Sequence, residues 1–110
     1  MDDFQKGLRE EKKIITDKII HDETAQKFYI PYEDDEAVLA YTRVNDILDV
    51  HHVYVPESAR DHGIAESLAT AAFEYAETNG LKIIPTCPYI KDTFLKKHPE
   101  WNNTVTEAYF

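Results

Sequence analysis

Between residues 47 and 84 the apolar pattern changes period twice, and this restricts the possible folds more than any other feature of the chain. "ILDVHHVYV" (Ile47 to Val55) is rich in β-formers and reads as a long strand. After Pro56, residues Ile64, Leu68, Ala71, Ala72 and Tyr75 recur at helical spacing in a segment rich in Ala and Glu. Asn79-Gly80 stops that helix, and "LKII" (Leu81 to Ile84) returns to a short apolar strand that Pro85 ends. Strand, helix and strand in this order make a βαβ unit, with parallel strands and a right-handed crossover.

The flanks fill in around that unit. "KIIHDE", "KFYIPY" and "AVLAYTRV" read as earlier strands, separated by polar turns that include Asp34 to Glu36 and Asn45-Asp46. "PYIKDTFLKK" (Pro88 to Lys97) opens with Pro at a first helical position and reads as a second helix, which "HPEW" closes. In the last nine residues Val105 and Tyr109-Phe110 are the candidates for a strand or a covering contact. The expected class is α/β (α+β): a mixed sheet with antiparallel N-terminal strands plus the βαβ unit, and two main helices packed on it. Strict alternation in the long strand puts Ile47, Asp49, His51, Val53 and Val55 on one face, and Leu48, Val50, His52 and Tyr54 on the other. Apolar residues on both faces predict a central strand covered on both sides.

A chain of 110 residues suits one domain, read as 14–110 after a charged N-terminal segment, 1–13. Apolar residues at 43% suffice for a core. A formal net charge of −9 disfavours nucleic acid and anionic membranes as partners. The charge is uneven, and Lys82, Lys91, Lys96, Lys97 and His98 make the C-terminal part less acidic, so an anion can still bind locally. Cys87 stands alone, which excludes an intramolecular disulfide and fits a reducing compartment. No apolar run approaches the ~20 residues of a membrane span, and the N-terminus lacks a signal-peptide pattern. The expectation is a cytoplasmic protein, monomeric or weakly dimeric.

The join "VPESARDHGIAESL" (Val55 to Leu68) carries the first candidate chemistry. A helix start presents unpaired N–H groups and partial positive charge, which suit a pyrophosphate. Gly63 and Ala65 leave room for close approach, and Arg60 and His62 can add charge. The same residues also fit an ordinary loop-to-helix start with Ser58 or Asp61 as N-cap. Cys87, between a strand end and a helix start, is either a small buried hydrophobe or a thiol at a position that favours reactivity. His52 is the candidate base, since imidazole titrates in the useful range. His51 points to the opposite face. No metal site is expected: His51 and His52 diverge on a strand, and His21, His62 and His98 show no ligand-pair spacing.

Arg60-x-x-Gly63-x-Ala65, entered from a strand and opening a helix, resembles the acetyl-CoA signature of the GNAT superfamily of N-acetyltransferases. The longer stretches "HHVYVPESARDHGIAESLATAAFEYA" and "GLKIIPTCPYIKDTFLKKHPEW" resemble the small single-domain YjdJ-like branch. That branch has a His-Thr-x-Val-Pro strand end, Arg-Gly-x-Gly-x-Ala, and Pro-x-Cys-x-Tyr before a final His-Pro. The resemblance spans Ile19 to Trp101. It implies acetyl-CoA as acetyl donor and transfer to an amine, either a small amine or a Lys-bearing peptide. The backbone of Val53, Tyr54 and Val55 would pair with the pantetheine arm. Arg60, Asp61, His62, Gly63, Ile64 and Ala65 would surround the pyrophosphate. The basic cluster of Lys91, Lys96, Lys97 and His98 reads either as a solvated face or as a contact for the CoA 3′-phosphate. Cys87 and His52 would be the catalytic pair, Cys87 relaying the acetyl group or protonating the departing thiolate. Two positions depart from the pattern: Val53 replaces Thr, and Asp61 replaces the first Gly. A CoA-binding module without transfer, or a protein-interaction domain, is the alternative reading.

Overall fold

The computed structural model describes residues 19–108. The charged segment 1–13 and Tyr109-Phe110 lie outside the described residues. Five strands form one sheet in sequence order: β1 (Ile20–Asp22), β2 (Lys27–Tyr32), β3 (Asp35–Val44), β4 (Ile47–Tyr54) and β5 (Lys82–Pro85). The first four pair antiparallel, and β4 pairs parallel with β5 across α1 (Ile64–Thr78), as the change of period requires. Glu33 and Asn45 adopt positive φ in the tight turns between β2, β3 and β4. At the far end of α1, Gly80 has φ +70, its N–H points to Glu77 O, and Leu81 N–H reaches Ala76 O. These paired bonds close the last turn of the helix, and buried Leu81 anchors the exit.

The second helical segment begins in π geometry at Tyr89–Phe94 and continues as α2 (Leu95–Lys97), followed by a 3₁₀ stretch at Pro99–Thr104. Val105 bridges Ile83 in parallel, so the tail does touch the outer edge of β5.

Among the described residues the buried core and its helices lie on one face of the sheet. Phe28, Ile30, Leu39, Tyr41, Leu48 and Val50 are buried there against Leu68, Ala72, Phe73, Ile90 and Phe94. The opposite face holds Tyr29, Val38, Ala40, Asp49 and Ile84, all half-buried, with only Ile47 fully buried among the described residues. The expected two-sided cover of β4 is therefore corrected in part: on the second face Ile47 is buried and Asp49 half-buried, while His52 and Tyr54 are exposed.

The strict alternation is corrected as well. Ala40 pairs with His52 but Tyr41 pairs with Val50, so His51 is an extra residue, a β-bulge. One inserted residue reverses the parity of everything after it. Val53 and Val55 pack toward the core with Leu48 and Val50, while His52 and Tyr54 are exposed on the open face. Without the bulge, His52 would have pointed into the apolar layer.

An aromatic cluster ties the edge strand to the core. His21 stacks on Phe28 at 3.9 Å between centroids, meets Tyr75 edge-on at 4.4 Å, and shares a 2.7 Å hydrogen bond with the Tyr41 hydroxyl. Burial lowers the His21 pKa, against the opposing pull of Glu23 and Asp22, and pushes that of Tyr41 up to about 12. The folded state thus favours neutral His21. Its contribution to stability is full above the ordinary histidine value of about 6.5 and is lost as pH falls through the lower folded value. The melting temperature is expected to fall as pH drops below about 6.5. His21→Asn should flatten that slope in thermal unfolding followed by circular dichroism.

Candidate functional site

Why the sheet opens beside β4 follows from Pro85. Parallel pairing runs from Ile47 opposite Lys82 to Val50 opposite Pro85, and proline has no N–H to continue the ladder. Thr86 N–H turns back to Ile84 O, and Cys87 N–H makes one more bond across the gap, to Val50 O at 2.9 Å. Strand β4 then continues alone on that side through the bulge to Tyr54, where β5 no longer reaches. Bulged strands bend, which helps the two strands diverge.

A cleft of about 430 Å³ occupies the space so created, within the range of small-molecule sites. One wall is Val53, Tyr54 and Val55. The floor is Ala59, Arg60 and Asp61, leading to the start of α1 at Gly63, Ile64, Ala65 and Glu66, and the far wall is Tyr89, Thr93 and Lys97. Eight of the nine residues expected to hold the cofactor thus line one cleft. His62, the ninth, faces the neighbouring groove with Ser67 and Thr70.

The start of α1 is built for access. Its N-cap is Gly63 at φ +71, with no side-chain capping bond, so neither Ser58 nor Asp61 caps it as the ordinary reading anticipated. The N–H groups of the first turn therefore have no side-chain acceptor, and space around Gly63 is open: a Cβ there would meet nothing within 4 Å. Glycine is needed for the backbone conformation, not to avoid a clash. Arg60 Nε donates to Val55 O at 3.0 Å, holding the loop to the strand end while its remaining N–H groups stay at the cleft.

Asp61 has φ 70, a left-handed conformation that glycine adopts without strain and other residues adopt at a cost of roughly 1–2 kcal/mol. That explains, from the backbone alone, why glycine belongs here. Asp61→Gly is expected to raise stability by about 1 kcal/mol, read as a higher midpoint in urea. Removing a carboxylate from the cleft should also tighten acetyl-CoA in a calorimetric titration. Unchanged or weaker binding would count against Asp61 lying at the phosphates.

Four cleft residues, Ala59, Glu66, Tyr89 and Thr93, are not singled out by the sequence as site residues. Glu66 was read as a helix former; in the fold its carboxylate accepts from His98 Nε2 and lies 3.8 Å from Lys97 Nζ. The His98 hydrogen bond, with help from Lys97, holds the Glu66 carboxyl below its usual range against desolvation. Tyr89 was read as an apolar helix residue. Burial, then the nearby Glu66 and Cys87, raises its phenol pKa, so it remains a proton donor at neutral pH. The available signal was the Pro85-x-Cys87-x-Tyr89 spacing. Thr93 carried no signal. Arg60 and Lys97 offset Asp61 and Glu66, so the cleft is formally neutral within a strongly acidic chain.

Cys87 and His52 do not line the cleft. Cys87 is 6% exposed, at the apex where β4 and β5 part. His52 is exposed on the open face, and His51 shares a 3.2 Å hydrogen bond with Thr42 Oγ1. No group of three His, Cys, Asp or Glu among the described residues is arranged to hold a metal ion. No helix among them is long and apolar enough to cross a membrane.

A family model described as GCN5-related N-acetyl-transferase matches residues 27–105. Protein NATD1 of Homo sapiens is 35% identical over 85 residues, covering 74% of this chain and 74% of that protein. Protein NATD1 of Danio rerio is 36% identical over 85 residues, covering 74% and 76%. The NMR solution structure of a GCN5-like protein from Staphylococcus aureus superposes with a TM-score of 0.64 at 25% identity, over 84% of this chain and 92% of that one.

Proposed function

Since this chain belongs to the GCN5-related N-acetyltransferase family, we propose that it transfers an acetyl group from acetyl-CoA to an amine. The carrying observation is the cleft: a strand edge left by β5 leads directly into an uncapped helix start at Gly63. The free edge at Val53 and Tyr54 would take the pantetheine arm by strand-like pairing. The N–H groups of Ile64 and Ala65, with Arg60, would hold the pyrophosphate. His62 would stand outside the pyrophosphate seat, on the flank of the helix start. Lys97, at the cleft wall, would reach a phosphate in preference to Lys91 or Lys96.

The chemistry needs a proton given to the departing thiolate and one taken from the amine. Tyr89, on the cleft wall, would give the first. His52, on the open face, would receive the second if the amine approaches from that side. Cys87 at the apex would serve transfer through a thioester: its sulfur attacks the acetyl carbonyl, the bond to the CoA sulfur breaks, and the amine then displaces the cysteine. Direct attack by the amine needs no such step. Assignment to the small YjdJ-like branch rests on Pro85-x-Cys87-x-Tyr89 and His98-Pro99. A small amine or Lys-bearing peptide as acceptor and action in the cytoplasm complete this reading.

The test has two stages. Acetyl-CoA at about 100 times its dissociation constant should stabilise the protein by about 2.7 kcal/mol in a thermal-shift titration, with ATP as control. An amine screen should then find acceptor-dependent release of free CoA thiol. No CoA-specific shift defeats the proposal. A shift without release with any amine favours the second reading, a CoA-binding module, which the absence of Cys87 and His52 from the cleft lining supports.

A further inference from the structure

At the apex of the splayed strands, two consecutive residues are tied to two consecutive residues. Cys87 N–H donates to the Val50 carbonyl at 2.9 Å, and the preceding Thr86 donates its hydroxyl to Asp49 Oδ1 at 2.5 Å. Asp49 is the residue before Val50, and the bulge at His51 follows at once. One bond is backbone and would form with any side chains; the other requires a hydroxyl and a carboxylate at those two positions. Thr86 also sits between the end of β5 and the start of the second helical segment, where Lys91 N–H bonds to Cys87 O. Whatever holds Thr86 therefore holds the peptide that presents Cys87 and launches the turn carrying Tyr89.

We propose that Asp49 and Thr86 are positioning residues, clipping β4 to the Cys87 peptide so that the thiol and the Tyr89 phenol keep their places at the mouth of the splay. Neither side chain lines the cleft, and neither needs to touch substrate. The clip sits where the ladder stops: Pro85 supplies no N–H, and the pairing of β4 with β5 ends at Val50. A displacement of about 1 Å at reacting groups can cost on the order of a hundredfold in rate, so a clip outside the cleft can matter to chemistry inside it. This role rests on the acetyltransferase reading where turnover is concerned, but the placement of the thiol can be measured without turnover.

Thr86→Val removes the hydroxyl while keeping the shape, at an exposed position where the fold should survive. Three readouts apply: acetyl-CoA affinity by calorimetry, kcat for CoA release with an accepted amine, and the rate of Cys87 alkylation by iodoacetamide across pH. The expected result is affinity within about twofold of the parent, kcat lower by on the order of tenfold or more, and an alkylation profile that departs from the parent's. Asp49→Ala should show at least the same loss, and adding Thr86→Val to it should change nothing further. Thr86→Ser should restore both kcat and the profile. A parent-like alkylation profile in Thr86→Val, or Thr86→Ser behaving as Thr86→Val, overturns the proposal. If the parent itself transfers no acetyl group, the functional reading fails alone, and the alkylation profiles still decide the role of the clip.

Discussion

Phe73→Ala should lower the unfolding free energy by about 3–5 kcal/mol, the usual loss for truncating a buried aromatic. Phe73 is fully buried and stacks on Phe94 at 5.4 Å, with the Trp101 ring at 5.6 Å. Those contacts join α1 to both C-terminal segments, so the cavity opens where three elements meet and cannot collapse by moving only one. For a domain of this size, total stability is on the order of 5–15 kcal/mol. The variant therefore sits near the edge of folding, and its urea midpoint should drop steeply. An unfolding free energy within about 1 kcal/mol of the parent would show that the Tyr89–Phe94 segment and the 3₁₀ stretch do not depend on this contact. The loss should also reach the cleft, because Tyr89, Thr93 and Lys97 lie on the helical segment that Phe73 holds.

The second large effect is on rate rather than stability. Tyr89→Phe should reduce kcat for acetyl transfer by about 10²-fold or more, while acetyl-CoA binds within a few-fold of the parent. The substitution removes one oxygen and leaves the packing of the ring. A phenol is protonated at neutral pH at its ordinary value of about 10, and burial raises that of Tyr89 further, so the parent would hold the proton it is proposed to give. Steady-state kinetics with a thiol-reactive dye checks the rate, and calorimetry checks the affinity. Equal kcat in the two proteins would remove Tyr89 from the chemistry. A large fall in affinity would instead make it a binding wall.

Much of the fold was legible because its elements are set by local pattern. The apolar run Lys27 to Tyr32, the β-formers from Ala37 to Val44 and the turn at Asn45-Asp46 each appear where they were expected. So does the helix that Gly63 opens and Gly80 closes. The site was legible as far as its motif reaches, because Arg60-x-x-Gly63-x-Ala65 is contiguous and Val53 to Val55 adjoins it. Tyr89, Thr93 and Lys97 come to the same cleft from further along the chain, through the crossover of α1 and the packing of Phe94. Apart from the Pro85-x-Cys87-x-Tyr89 spacing and the basic residues around Lys97, nothing local to them announces that meeting.

The bulge at His51 marks the division most clearly. Side-chain alternation is local, so the residues of β4 by themselves determined a long strand with apolar residues on both sides. Which residue would be squeezed out was decided by pairing with β3, where Ala40 takes His52 and Tyr41 takes Val50. A register is a relation between two strands, and neither carries it alone. The same holds at Asp61, where a charged residue takes a glycine's conformation because the loop must turn into a packed helix. The sequence by itself determined the order of strands and helices, the glycines at both ends of α1 and the contiguous Arg60-x-x-Gly63-x-Ala65 motif, since these depend on short-range sterics and period. Only the tertiary structure decided that β4 and β5 part at Pro85, that His52 faces outward, and that Glu66 shares a cleft with Lys97. Each of those depends on contacts between segments far apart in the chain.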